Sequence, residues 1–141
     1  MTLTTAQGPE GQTEAEVTEG VRRAIAAYCH ALDDGRVDDL VALFTSDGRS
    51  ALPGMDTVEG HDALRDLYRA LVPQAPQRHL VFNTVISNRE DGRIGAVSDL
   101  VFLTKSESGW TITLVGRYED LLRREGEYWR FEHRALAFTA P

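Results

Sequence analysis

Much that usually announces a function is missing from this sequence. There is one cysteine, Cys29, in 141 residues, which rules out an intrachain disulfide and a zinc site built from thiolates. Positive charge is scarce: 15 Lys and Arg against 22 Asp and Glu leave a net charge of −7. A surface that tracks phosphates needs the opposite balance, so no nucleic-acid partner is expected. Long apolar runs are absent, and the first fifteen residues carry neither the basic cluster nor the apolar stretch of a signal peptide. The expectation is no membrane partner and a cytoplasmic location.

Familiar catalytic signatures are lacking too. No G-x-G-x-x-G follows a strand and no G-x-x-x-x-G-K-[ST] occurs, so the glycine-rich cradles for nucleotide phosphates are absent. No G-x-S-x-G supplies a nucleophile elbow. The four histidines, His30, His61, His79 and His133, form neither H-x-H nor H-E-x-x-H. The expectation is chemistry by plain side chains, with no cofactor and no metal.

What is present fits one domain of residues 16–141 behind a flexible leader of residues 1–15. Thr13 to Glu16 has the spacing of a helix capping box. Val17, Val21, Ala24, Ile25, Tyr28 and Leu32 then recur at helical intervals until Asp33-Asp34-Gly35 stops the helix. A second short helix is expected with Val37, Leu40, Val41 and Phe44 on one face, ended by Ser46-Asp47-Gly48. A third begins near His61, with Leu64, Leu67, Tyr68 and Leu71 on one side. The second half reads as strands: Leu80–Ser87, Ile94–Thr104, Trp110–Arg123 and Tyr128–Phe138, joined by short turns at Asp91-Gly92, Ser106–Gly109 and Glu125-Gly126. Such turns demand antiparallel pairing, so the class is α+β: three helices packed on a curved, mostly antiparallel sheet. Short pairing near Arg49 and Val58 adds an edge. Ser50–Gly60 and Val72–Arg78 are the expected rims of a pocket between helices and sheet.

Asp33, at the end of the first helix, and His79, opening the first long strand, are the strongest chemical candidates. An imidazole ordinarily titrates near 6.5 and can accept a proton at neutral pH; a carboxylate on its other nitrogen fixes the tautomer and stabilises the cation formed. Asp99 is a solvated strand residue or, if its face turns inward, a pocket acid. Arg117, Tyr118 and Asp120 read as a polar cluster at the sheet or a subunit contact, Arg117 also as a ligand for an anionic group. Cys29 reads as small and buried, His30 as surface or interface, Trp110, Trp129 and Phe131 as core, and His61 and His133 have no evident partner.

Tyr28-Cys29-His30-Ala31-Leu32-Asp33-Asp34-Gly35-Arg36-Val37-Asp38-Asp39-Leu40, with Leu43-Phe44 and Asp47, resembles the opening of the SnoaL-like branch of the NTF2-like superfamily. Arg78-His79 with Asn83 resembles the start of its first long strand, and Gly116 to Asp120 with Trp129-Arg130-Phe131 its last hairpin. The resemblance implies a cone-shaped barrel. Within the superfamily the pattern is most similar to scytalone dehydratase and hexachlorocyclohexane dehydrochlorinase, cofactor-free lyases with an aspartate–histidine dyad. It implies His79 as general base and Asp33 as its orienting partner, both catalytic. Asn83, two side-chain alternations from His79 and so on the same strand face, would bind substrate together with Tyr28 or Arg117 at the pocket wall. Ser50 and Ala51 stand where the dehydratase has a pocket tyrosine.

Three readings follow. The first is a cofactor-independent lyase or isomerase acting on a small apolar, cyclic molecule; the second is a non-catalytic module that binds a ligand or a protein on the same fold; the third is a polyketide-cyclase-like enzyme. A homo-oligomer is expected, dimer favoured over trimer, through the outer face of the sheet. Ile112, Leu114, Trp129 and Phe131 alternate along the last two strands while Leu121, Leu122, Ala135 and Leu136 break the alternation, as if both faces were covered.

Overall fold

In the computed structural model, which describes residues 11–139, the first helix, α1, runs Glu14–Asp33. The Thr13 hydroxyl accepts the Glu16 N–H, and the Glu16 carboxylate accepts the Thr13 N–H. This satisfies two of the donors that a helix start leaves unpaired. Most of the expected leader lies outside the described residues; its last two, Glu14 and Ala15, are helical. The whole apolar stripe from Val17 to Leu32 is buried. Gly35, at φ +70°, turns the chain out of α1 in the left-handed region that side chains with a Cβ resist.

The second helix, α2, is one turn long, Val37–Val41. Here the expectation fails: Phe44 is not helical, and Ser46-Asp47-Gly48 ends no helix but lies inside a strand, β1, Phe44–Ala51. Strand β1 pairs in parallel with the last strand, setting Phe44 opposite Phe131 and Arg49 opposite His133. Five steps on one side answer two on the other, and the surplus forms a bulge. Turn-forming residues mark that bulge, which is why they read as a stop. The two-residue β2, Val58–Glu59, pairs antiparallel with β1, and α3 spans His61–Arg69, burying Leu64, Leu67 and Tyr68.

The meander follows as expected: β3 Gln77–Asn88, a 3-10 turn at Glu90–Gly92, β4 Ile94–Ser106, β5 Gly109–Glu125 and β6 Tyr128–Phe138. The result is α+β, three helices on a six-stranded mixed sheet of order β2-β1-β6-β5-β4-β3, whose one parallel pair is β1 with β6. The sheet is open. Its edges β2 and β3 do not pair, so the expected barrel does not close; a two-residue edge strand offers too few ladder groups to reach across.

The inner face and α1 enclose a core in which Tyr28, Phe44, Tyr68, Tyr118 and Phe131 are almost completely buried. Trp129 and Phe131 are core, but Trp110 is 48% exposed near the β4–β5 turn and is not. The outer face leaves Leu80, Phe82, Val85, Ile112 and Val115 open to solvent. The broken alternation in the last hairpin has a local cause. Leu121 faces His133 and Leu122 faces Phe131, so Glu132 is an extra residue that shifts the phase of β6. Among the described residues, no helix is long and apolar enough to cross a membrane.

Candidate functional site

Helix α1 lies against edge strand β3, and its last residue meets the strand's third. The Asp33 carboxylate takes three hydrogen bonds there: one oxygen is 2.6 Å from His79 Nδ1 and accepts the Gln77 amide at 3.2 Å, and the other accepts the His79 backbone N–H at 2.8 Å. Both side chains are largely enclosed, at 6% and 11% exposure for Asp33 and His79. Burial alone would push the Asp33 carboxyl up. The bonds from His79 and Gln77 and the attraction of the imidazole more than offset that and hold it below the ordinary carboxylate range. An ionised carboxylate can only accept, so Nδ1 carries a hydrogen and Nε2 is the free ring nitrogen. Phe102 packs against the imidazole with ring centroids 4.4 Å apart, restricting its rotation.

The pair borders a cleft of about 700 Å³ between α1 and β3, within the size range of small-molecule sites. Ile25, Ala26, Cys29 and Val81 form apolar wall; Arg22, His30 and Arg78 stand among the polar residues. Burial pushes the Cys29 thiol up to about 11, so it contributes an uncharged surface. Of the expected rims, Arg78 alone lines this cleft; no residue from Ser50 to Gly60 does, and the two ends of that stretch pair with each other as β1 and β2.

The other expected site residues are placed differently. Asn83 has φ +55° and sits in a bulge of β3 between Phe82 and Val85, so counting alternations from His79 fails. Thr84 takes the inward position, its hydroxyl 2.9 Å from that of the fully buried Ser98. Asn83 still borders the cleft, but its amide donates to Asp99 at 3.0 Å, and Arg117 donates to the other Asp99 oxygen at 2.9 Å. Asp99 and Arg117 alternate with buried neighbours and therefore lie on the outer face of the sheet, away from the cleft. Hydrogen bonds from Asn83 and then Arg117 hold the Asp99 carboxyl below its ordinary value.

Tyr28 is fully buried and does not line the cleft; its hydroxyl is 2.8 Å from that of Tyr68, which is 2.9 Å from Ser50 Oγ. Burial pushes both phenols above their ordinary range, so they persist as neutral hydrogen-bonding groups. His61 has a partner after all, its Nε2 lying 3.0 Å from the Phe44 carbonyl oxygen.

Sequence reasoning missed Arg134. Its guanidinium is completely buried, 3.6 Å from the centre of the Tyr118 ring, 4.2 Å from that of Tyr28 and 4.7 Å from that of Phe131. The aromatic faces attract the cation. Asp120 Oδ1 lies 3.4 Å from Arg134 Nε, yet neither group makes a hydrogen bond among the described residues. Burial pushes the Asp120 carboxyl up to about 6, the arginine charge offsetting only part of the effect. Asp120 and Tyr118 thus belong to a polar cluster inside the sheet; Arg117 does not. Among the described residues no three His, Cys, Asp or Glu side chains gather to hold a metal ion.

Comparison with known proteins agrees with this architecture. The SnoaL-like domain profile matches residues 13–135. A candidate scytalone dehydratase from Novosphingobium aromaticivorans superposes with a TM-score of 0.77 at 21% identity, over 88% of this chain and 85% of that one. An NTF2-like protein with a cystatin-like fold from the same bacterium gives 0.78 at 25% identity, over 88% and 82%. A protein from Catenulispora acidiphila, solved in complex with S-DNPA, gives 0.81 at 24% identity, over 89% and 95%. No curated protein sequence matches the chain.

Proposed function

The chain belongs to the SnoaL-like branch of the NTF2-like superfamily, and from that premise we propose a cofactor-independent lyase or isomerase that removes a carbon-bound proton from a small, mostly apolar, cyclic substrate. The observation that carries this reading is the Asp33–His79 contact at the edge of an apolar cleft. His79 Nε2 takes the proton; the electron pair of the broken C–H bond moves onto the neighbouring carbonyl as an enolate, which then expels a leaving group or is reprotonated elsewhere. Asp33 stabilises the imidazolium and keeps Nε2 turned outward without itself becoming protonated. The candidate scytalone dehydratase among its structural neighbours supports a dehydratase-like outcome, with a cyclase-like one on the same residue roles.

Proton abstraction is measurable without the natural substrate. Deuterium incorporation into 2-tetralone and 1-tetralone in D₂O should be faster with the wild type than in buffer, slower with Asp33→Asn, and at background with His79→Ala. Wild-type exchange at the buffer rate, or His79→Ala exchanging like wild type, rejects the reading and leaves a ligand-binding module.

The outer face fits a second copy of the chain in this proposal. Val85 and Ile112 are more than 60% exposed there, beside Leu80, Phe82 and Val115, apolar side chains that the same face of a second copy would cover. Light scattering at micromolar concentration should return a dimer, with a trimer as the other closed assembly; a monomer rejects the proposal.

A further inference from the structure

Resting on the reading of the cleft as a substrate site, we infer that Arg22 anchors an anionic group of the substrate, which is therefore an elongated apolar carboxylate with its acid remote from the carbon that His79 deprotonates. The two walls of the cleft have similar lengths. Arg22 and Asp33 both line it from α1, eleven residues apart, about 16 Å at 1.5 Å per residue. His79 and Thr84 line it from β3; the bulge at Asn83 sets them against Phe102 and Ser98, four residues apart on β4, about 13 Å at roughly 3.3 Å per residue. With Asp33 bonded to His79 at one end, Arg22 falls at the Thr84 end. The wall between carries Ile25, Ala26 and Cys29.

Arg22 and Arg78 both line the cleft without a carboxylate partner among the described residues, and their positions separate them. Asp33 is committed to His79, and Asp34 meets Arg36 at 3.5 Å. Arg78 keeps its charge, but it neighbours His79, and its guanidinium is held to the Gln77 carbonyl at 2.7 Å, so it serves the reactive end of the cleft and not the far end. Arg22 makes no ion pair or hydrogen bond among the described residues. In a chain of net charge −7, an uncompensated guanidinium at the end of an apolar cleft is a local attractor for an anion. Its planar fork matches a carboxylate, and its exposure means that pairing costs little desolvation. One guanidinium balances one charge, which favours a carboxylate over a phosphate dianion.

Calorimetric titration tests this with 2-naphthylacetate, 3-(2-naphthyl)propionate and 4-biphenylacetate, each against its primary amide, and with 2-naphthylmethyl phosphate. At low salt the wild type should bind an acid roughly threefold to tenfold more tightly than its amide, the range of a partly exposed bidentate pair. Arg22→Gln should abolish the preference, Arg22→Lys retain part of it, and Asp33→Asn leave it undiminished. Added salt should shrink it. Overturning results are no acid preferred over its amide, a preference that survives Arg22→Gln, one lost with Asp33→Asn instead, or the phosphate ester bound more tightly than every acid. Failed deuterium exchange with an intact Arg22-dependent preference rejects the proton-abstraction reading alone; normal exchange without the preference rejects the anion site alone.

Discussion

Asp33 holds His79 at two points, the ring through Nδ1 at 2.6 Å and the backbone N–H at 2.8 Å, so one carboxylate fixes both the strand's start and the imidazole's direction. The two functions separate on substitution. In Asp33→Asn an amide oxygen can still accept the backbone N–H, so the fold should persist with a circular dichroism spectrum like that of wild type. The charge that stabilises the imidazolium is gone, and proton exchange should fall. His79→Ala removes the base itself and should cost more, on the order of 10²–10⁴-fold. An Asp33→Asn protein that exchanges tetralone protons as fast as wild type would show that the carboxylate is structural only.

Two carboxylates should bend the pH dependence of stability in opposite directions. The folded value of Asp33 is lowered, so its contribution is complete above the ordinary carboxylate value near 3.9 and is lost as pH falls through the lower folded value. Asp120 is raised to about 6 by burial. Its contribution is complete below roughly 3.9 and is lost as pH rises to about 6, by an amount on the order of 2–3 kcal/mol. Urea midpoints taken from pH 3 to 8 should therefore show a decline between about pH 4 and 6 that Asp120→Asn removes. An unchanged slope in that variant would assign the decline elsewhere.

The buried cation should be costly to delete by itself. Arg134→Met leaves Asp120 enclosed with no countercharge, a change that typically costs about 3–5 kcal/mol. Adding Asp120→Asn removes the stranded charge, so the double variant should recover much of the loss in chemical denaturation. If the two substitutions simply add, the pair is not coupled and the aromatic rings alone hold Arg134.

Helix α1, its cap and the turns of the meander were legible in the sequence because each is decided within a few residues of itself. The partnership of Asp33 with His79, 46 positions apart, came from family resemblance, since no local pattern joins a helix end to a strand start. Three sites escaped the reading for one reason. Thr45 to Gly48, Asn83 and Glu132 are bulges, and a bulge is settled by the register of the partner strand, not by local periodicity. Those at Asn83 and Glu132 reverse which residues of their strand face inward afterwards. Arg134 reads as a solvent-facing residue until the extra Glu132 turns it into the core. The missed signal was the broken alternation around Leu121 and Leu122, legible as a bulge rather than as a doubly covered face.

Gly20→Ala opposes propensity to packing. In an exposed helix interior the change gains about 1 kcal/mol. Here a Cβ on Gly20 would collide with the Trp129 indole, whose N–H donates to the Gln12 side chain at 3.1 Å. Overpacking of that kind costs about 1–3 kcal/mol, so the variant should be net destabilised, with a lower melting temperature than wild type. In Gly20→Ala/Trp129→Phe the smaller ring should relieve part of the clash. A more stable single variant would mean that the indole moves aside freely.

The bulge in β3 makes a prediction that uninterrupted alternation reverses. Were the strand regular, Asn83 would face the core with His79, and Asn83→Ala would disturb the site more than any change at Thr84. The structure sets Asn83 at φ +55°, a conformation that asparagine tolerates and glycine adopts freely, with its amide on Asp99. Asn83→Gly should therefore be close to neutral in stability, since relief of backbone strain offsets the exposed hydrogen bond. Asn83→Val should destabilise, because a β-branched residue resists positive φ. Thr84→Val keeps the shape but strands the Ser98 hydroxyl at a completely buried position, which costs about 1–3 kcal/mol. The order of stability in urea should run Asn83→Gly, then Thr84→Val and Asn83→Val well below it. An Asn83→Gly protein as destabilised as Thr84→Val would place Asn83 inside and restore the regular strand.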